Sequence, residues 1–376
     1  MSQPRVLHLS TARSWRGGEQ QVAYLVEELG GKGVEQLVVC AAGSPMQEFC
    51  ERLSVEHRTL GFRASFDPVN ARRLARIARS WKPDLLHTHD SHGHTAAILA
   101  TSIFGMKVPL VVSRRVDFAI SSGFSARWKY GHPAVKRILC VSDAILEITA
   151  ERLRRPEILR TVRSGIDPAR FATGADGRLH RELSLEPDTP IVGNVAALAP
   201  HKDLFTFIRM AERIHKAQPE VRFVLIGEGE LRAELERYAA QRGLAGVLTF
   251  TGFRNDVERL LPELDVMVMT SRTEGLGTSI LDAFAARVPV VATAAGGIPE
   301  LIEDERTGLL RPVEEDAALA SAVLLLLADH ALRDRLVAGA HEKLQGFTRQ
   351  ATAAATLKEY HAVLDELRGA ANTKSA

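Results

Sequence analysis

Short apolar runs alternate along the whole chain with longer stretches in which apolar residues recur every three or four positions. Runs of the first kind fit strands, the second kind fits amphipathic helices, and their regular alternation is the pattern of parallel sheets covered by helices, an α/β fold. In the first half this predicts strands at Val6–Ser10, Gln36–Ala41, His57–Leu60, Leu85–His89, Leu110–Ser113, Ile138–Ser142 and Arg160–Val162, with helices between them, notably over Gln20–Leu29 and Ala71–Trp81. The second half predicts strands at Ile191–Val195, Arg222–Ile226, Leu248–Thr251, Val266–Met269, Val288–Ala292 and Gly308–Leu310. A last helical pattern, Thr348 to Leu367, places Ala355, Leu357, Tyr360, Val363, Leu364 and Leu367 near one face, which suits packing back on the first half.

The pattern weakens between Gly165-Ile166-Asp167-Pro168 and Thr173-Gly174-Ala175-Asp176-Gly177, a stretch rich in turn formers. An inter-domain linker there divides the chain into residues 1–172, 173–347 and a terminal helix at 348–376. At 376 residues the chain suits two domains, each able to bury its own core. The most apolar stretch, Ala317 to Ala328, is well short of the roughly 20 residues that span a bilayer and reads as a buried helix. Val6-Leu7-His8-Leu9 is too short for a signal-peptide core, and Cys40, Cys50 and Cys140 show no CxxC spacing, so a cytoplasmic protein is expected.

The formal charge of +2 hides an asymmetry. Residues 1–171 carry 25 Lys+Arg against 16 Asp+Glu, and the remainder 23 against 30. A basic half beside an acidic one fits an anionic lipid surface or a phosphorylated acceptor on the basic side, and equally a solvated face with no partner. The Ala71–Trp81 helix sharpens the point, since Arg72, Arg76 and Arg79 lie on one side and Leu74, Ile77 and Trp81 on another. Peripheral contact with the inner face of a membrane and ordinary docking on the protein both fit it. Near-neutral net charge and the lack of stacking aromatics among basic residues argue against nucleic acid.

Ligands of doubly wound sheets bind beyond the C-terminal strand ends, where glycines admit close approach and helix N-termini offer free N–H groups. Arg16-Gly17-Gly18-Glu19, after the first strand, is one such junction, read as a ligand seat or as a plain tight turn. Thr270 to Thr278 is the second, following an apolar strand and opening the helical run Ser279 to Ala286. There Gly275 and Gly277 clear space, and Gly277 and Thr278 present N–H groups suited to a diphosphate. Glu274 would repel phosphate, so it suits sugar hydroxyls, and Asp282, eight positions on, suits a ribose hydroxyl. The plain alternative is Thr273 capping the helix with Glu274 in solvent. At the third junction, Val195 to Asp203, Lys202 is placed to neutralise phosphate.

With these residues in view, the chain resembles the family 4 retaining glycosyltransferases of the GT-B fold. The likeness rests on Glu274-Gly275, the acid eight later at Asp282, Val288-Pro289-Val290-Val291, and Gly296-Gly297-Ile298-Pro299-Glu300. Gly17-Gly18, Ser164-Gly165-Ile166-Asp167, Pro200 with Lys202, Gly227-Glu228-Gly229 and Phe250-Thr251-Gly252 add to it. The resemblance implies two Rossmann-like domains facing across a cleft, donor on the second and acceptor on the first. It also implies transfer that keeps the anomeric configuration, uses a nucleotide-diphosphate sugar as co-substrate, and needs no metal or other cofactor. By likeness Glu274 contacts the donor sugar together with the Gly297 loop, Lys202 the diphosphate, Asp282 the ribose, and the loops at Gly227 and Arg254 the base. The acceptor, a glycan or lipid-linked sugar, would lie over Gly17-Gly18, and many bacterial relatives build lipopolysaccharide or other envelope polysaccharide.

Three positions depart from the family pattern. Asp282 stands where Glu is usual, Ala197 where an arginine commonly precedes the lysine by five residues, and Arg115 where a histidine is often near the donor sugar. Arg115 is expected to supply the missing positive charge from across the cleft. His87, His89, His92 and His94 with Asp90 crowd one strand end, and a site-lining or acceptor-binding role for His89, His92 or His94 fits better than a metal. Gly227-Glu228-Gly229 lacks the third glycine of a dinucleotide fingerprint, which argues against a dehydrogenase. A sugar-nucleotide epimerase of similar fold and a non-catalytic sugar-binding module remain the alternatives.

Overall fold

The structure, a computed structural model, describes residues 3–62, 66–121 and 123–375. Two compact units form, one ending at Gly165 and taking back the chain from Arg349, the other Ile166–Thr348. The chain passes between them at 165/166 and 348/349, where the turn-rich stretch placed 172/173 and 347/348. The Ile166 N–H donates to the Phe347 carbonyl at 2.9 Å, which ties residues 166–172 to the second unit.

The first unit holds a seven-stranded sheet of β1 (Arg5–Ser10), β2 (Glu35–Ala41), β3 (His57–Leu60), β4 (Leu85–Thr88), β5 (Leu110–Arg114), β6 (Val135–Cys140) and β7 (Leu159–Thr161), in the order β3-β2-β1-β4-β5-β6-β7. The second holds β8 (Ile191–Val195), β9 (Arg222–Ile226), β10 (Leu248–Gly252), β11 (Val266–Met269), β12 (Val290–Thr293) and β13 (Leu309–Arg311), in the order β10-β9-β8-β11-β12-β13. Neighbouring strands are parallel throughout. Each sheet reverses its strand order once, at β1/β4 and at β8/β11. In an open α/β sheet that reversal opens a crevice at the C-terminal strand ends.

Parallel strands covered on both faces must be apolar on both faces, which is why β4, β11 and β12 are buried at every residue. Around the second sheet Phe207 of the helix Leu204–Ala217 and Val323 of the helix Asp316–Ala328 share a core with Phe223 and Val268. The C-terminal helix Arg349–Ser375 buries Ala353, Tyr360 and Val363 against Val6, Leu85, Val111 and Leu139 of the first unit. Arg349 pairs with Glu27 and Glu28, each at 2.8 Å, and Arg137 with Glu359 at 3.1 Å. The basic helix spans Pro68–Trp81, capped by Asp67, with Leu74, Ala75 and Ala78 inward and Arg72, Arg73, Arg76 and Arg79 exposed. Among the described residues no helix is long and apolar enough to cross a membrane.

Two strands start two or more residues from their expected positions. β6 starts at Val135 and not at Ile138, because Arg137 lies within the sheet yet is neutralised by Glu359 and Glu366 of the C-terminal helix. β12 starts at Val290 and not at Val288, whose N–H closes the preceding helix on the Ala283 carbonyl at 2.9 Å.

Candidate active site

In the second unit the loops after β8, β11 and β12 converge on Glu274. Lys202 makes an ion pair with the Glu274 carboxylate, and both side chains are mostly buried. Ser271 Oγ donates to the same carboxylate at 3.2 Å, and Thr270 Oγ1 donates to the Lys202 carbonyl at 2.9 Å. From the β12 loop, the Gly297 N–H donates to the Glu274 carbonyl at 3.0 Å, while Thr293 Oγ1 donates to the Ser271 carbonyl at 2.6 Å. This cluster stands at the β8/β11 reversal, so Lys202 and Glu274, 72 residues apart, meet where the topology opens its crevice.

The helix Thr278–Ala285 starts directly from this loop, with Gly277 at φ 88° as its N-cap and no side chain capping it. The alternative in which Thr273 caps the helix and Glu274 faces solvent therefore fails, since the cap lies four residues later and Glu274 is engaged by Lys202. Its first N–H groups, at Thr278 and Ser279, stay available to an anion. Asp282 lies one turn further along, within electrostatic reach of the Arg170–Glu258 pair. Burial pushes its carboxyl up to about 7, with Arg170 opposing and Glu258 reinforcing.

Gly227 and Gly229 pack on the β8 loop so closely that an added Cβ would lie 1.9 Å from the Ala196 carbonyl oxygen and 2.4 Å from that of Leu198. Their smallness shapes the wall beside Lys202. Arg254 is held by Asp256 at 2.8 Å and by Glu182 at 2.7 Å, so its guanidinium braces the segment before β8. Asp203, buried at φ 45°, accepts from Thr206 Oγ1 at 2.6 Å and pairs with Arg272 at 3.2 Å, a loop brace that sequence reading passed over.

In the first unit Gly17 and Gly18 open the helix Gly17–Gly31 and do not form a separate tight turn; Glu19 accepts from the Arg16 N–H at 2.9 Å. A Cβ on Gly18 would meet nothing within 4 Å, so no neighbouring protein group demands a glycine there. At the β1/β4 reversal Asp90 binds Thr11 through its N–H at 2.6 Å and its hydroxyl at 2.5 Å. Arg115 Nη1 donates to the His89 carbonyl at 3.1 Å, and burial pushes this guanidinium down to about 10. His94 is buried edge-on against Tyr130, 4.9 Å between ring centres, and its Nε2 has no hydrogen-bond partner among the described residues.

His8, absent from the sequence reading, joins His87 and His89 in a buried cluster whose nitrogens lie within 4.8 Å of one another. Such a set has the donor type of a zinc site. Five of its six nitrogens already hold hydrogen bonds: His8 to His89 and Gln36, His87 to Tyr360 and Ser113. Burial holds all three rings neutral by pulling their pKa values down. The signal that would have found His8 is register, for it pairs with His87 across β1 and β4.

A pair of Rossmann-ordered parallel sheets, with a carboxylate, an ammonium and a free helix start at one strand reversal of the second, is the architecture of the GT-B fold. Residues 176–343 match the family described as Glycosyl transferases group 1 and residues 15–170 match Glycosyltransferase Family 4, and the chain belongs to this group of enzymes. It is similar to the lipopolysaccharide core biosynthesis glycosyltransferase LpsE of Rhizobium meliloti, 27% identical over 91% of this chain and 95% of that one. It is also similar to a GDP-mannose-dependent alpha-mannosyltransferase of Mycobacterium tuberculosis, 29% identical over 94% of this chain and 92% of that protein. The crystal structure of Anabaena HepE in complex with UDP and glucose has the same fold, with a TM-score of 0.84 at 19% identity over 96% of this chain and all of that one.

Proposed function

We infer that the enzyme transfers a sugar, with retention of anomeric configuration and without a metal, from a nucleotide-diphosphate donor to a glycan or lipid-linked acceptor of envelope polysaccharide or lipopolysaccharide synthesis. The convergence of Lys202, Glu274 and the uncapped Thr278 helix start on one strand reversal carries this reading. Breaking the bond between the anomeric carbon and the diphosphate throws charge onto the leaving phosphate. Lys202 and the helix N–H groups are fixed in place to receive that charge. Glu274 accepts hydrogen bonds from the donor sugar, Gly297 holds its backbone, and Gly227 keeps the adjoining wall open. The HepE complex with UDP and glucose and the relatives in glycan synthesis support the donor class and the pathway.

Screening nucleoside diphosphates and their sugars for thermal stabilisation tests the donor assignment. At a hundredfold excess over Kd a ligand of the folded state adds about 2.7 kcal/mol, a shift of a few degrees in Tm. No shift with any nucleotide would refute it. Incubation of a stabilising nucleotide sugar alone, without acceptor, separates transfer from epimerisation, because only an epimerase converts the sugar under that condition. Chelation by EDTA should leave the rate unchanged.

The Asp282 carboxyl, pushed up to about 7, adds a pH dependence. A ribose hydroxyl donates best to the ionised form, so donor affinity should rise as pH climbs from 5 to 7 and level off above, by up to about tenfold per unit. Stability runs the other way. Between the ordinary carboxylate value and about 7 the folded chain keeps a proton the unfolded chain has lost, so stability falls as pH rises through that window. Calorimetric titration of nucleotide across this range should give a sloping wild type and a flat Asp282→Asn, and equal slopes would remove Asp282 from the donor site.

A further inference from the structure

The buried histidines of the first unit form a chain whose proton positions can be deduced. Gln36 Nε2 donates to the Val26 carbonyl at 3.0 Å, and a carbonyl only accepts, so the orientation of the Gln36 amide is fixed. Its oxygen therefore faces His8 Nε2, at 3.1 Å, and His8 must carry its proton there. Burial holds His8 neutral, with its pKa down to about 4, so Nδ1 has a bare lone pair. That lone pair lies 3.0 Å from His89 Nε2, which must then be the donor. His89, neutral as well, is left with an unprotonated Nδ1.

His89 Nδ1 is buried and has no hydrogen-bond partner among the described residues. The side chains facing it are those of His8, His87 and Arg115, and none of them pairs with it. Arg115, which holds the His89 carbonyl, has a buried Nε–H that is likewise unpaired. An orphaned acceptor on His89 and an orphaned donor on Arg115, the residue that holds the His89 carbonyl, are each unfavourable as they stand and suit a group that both donates and accepts, a hydroxyl or a water. His87 differs, because it sits between the hydroxyls of Tyr360 and Ser113, each able to donate or accept, and no tautomer follows for it.

We propose that Gln36 is a positioning residue which, through His8, locks His89 in its Nε2–H tautomer, so that His89 meets a substrate hydroxyl as a hydrogen-bond acceptor at Nδ1 and never as an acid. This rests on the reading of the first unit as part of a sugar-transfer enzyme, with His89 in its site. The register of β1, β2 and β4 supplies the geometry, since His8 pairs with His87 and lies beside β2, which carries Gln36.

Long-range proton–nitrogen correlation spectra of the full chain labelled with nitrogen-15 histidine read the tautomer directly, with His8→Asn and His89→Asn giving the assignments. In the wild type both His8 and His89 are expected as Nε2–H forms. In Gln36→Leu both should show mixed tautomers, with kcat at least tenfold lower and donor KM little changed. A wild-type His89 protonated at Nδ1 would overturn the relay, as would an unchanged His89 tautomer in Gln36→Leu. Should Gln36→Leu fail to fold through loss of its bond to Val26, the wild-type spectrum alone decides. The spectra need no turnover, so a chain that transfers no sugar yet shows Nε2–H at His89 would remove the functional reading and leave the relay standing.

Discussion

Glu274→Gln is expected to lower sugar transfer by about two to three orders of magnitude while nucleoside diphosphate without a sugar binds as well as before or more tightly. The two halves of this result have separate causes. The amide keeps the shape of the side chain but gives up the charge that strengthens a hydrogen bond to a sugar hydroxyl, and an interaction that tightens as charge separates at the anomeric carbon is worth roughly that factor in kcat. The carboxylate also occupies the Lys202 ammonium, and Ser271 Oγ leans on the same oxygen. Once the carboxylate is gone, Lys202 faces the diphosphate with its whole charge. Steady-state rates with a verified donor, set beside calorimetric affinity for the nucleotide alone, distinguish this from a folding defect, which would weaken both. Full activity in Glu274→Gln would end the assignment of Glu274 to the donor sugar.

The pairing behind that prediction is the part of the site that sequence pattern did not contain. Glu274, Gly277 and Thr278 were legible because they lie within one strand-to-helix junction, where spacing along the chain is spacing in the site. Lys202 was legible as a lysine in a loop after a strand, but nothing in the order of residues says that it touches Glu274, which is a consequence of β8 and β11 being neighbours. The brace on Arg254 was hidden for the same reason. Its partner Glu182 lies 72 residues earlier in a segment with little periodicity, and only the fold brings the two together. His8 was hidden differently, inside an apolar strand run where a single histidine does not disturb the pattern.

The strands themselves were easy to place, since a parallel strand covered on both faces is a short apolar block, and β8, β9 and β11 have the bounds that such blocks predict. Errors arose where a polar residue is buried by a distant partner, as Arg137 is in β6, or where apolar residues continue past the helix end, as Val288 does. The first is a tertiary contact overriding a local signal, and the second is a helix C-terminal bond that holds Val288 out of the strand.

Gly296→Ala should be nearly as damaging as losing the Glu274 carboxylate, because it displaces the backbone that carries that side chain. Gly296 sits at φ +52°, and a Cβ built there lies 2.1 Å from the Glu274 carbonyl oxygen and 2.9 Å from its nitrogen. These are backbone atoms, so no rotamer change relieves the overlap. The loop from Ser271 to Gly277 must move by about 1 Å, and the Gly297 N–H bond to the Glu274 carbonyl, now 3.0 Å, must lengthen or break. A displacement of that size at a positioned group costs about a hundredfold in rate. The left-handed conformation adds a backbone cost of about 1 kcal/mol for any residue with a Cβ. Gly243→Ala isolates this second cost, since Gly243 has φ +75° with nothing within 4 Å of its Cβ. Gly243→Ala is therefore expected to lower stability by about that amount with full activity, whereas Gly296→Ala loses about a hundredfold in kcat. Equal, small effects in both, read by denaturation and by transfer rate, would mean that the Gly296 loop does not hold Glu274 in place.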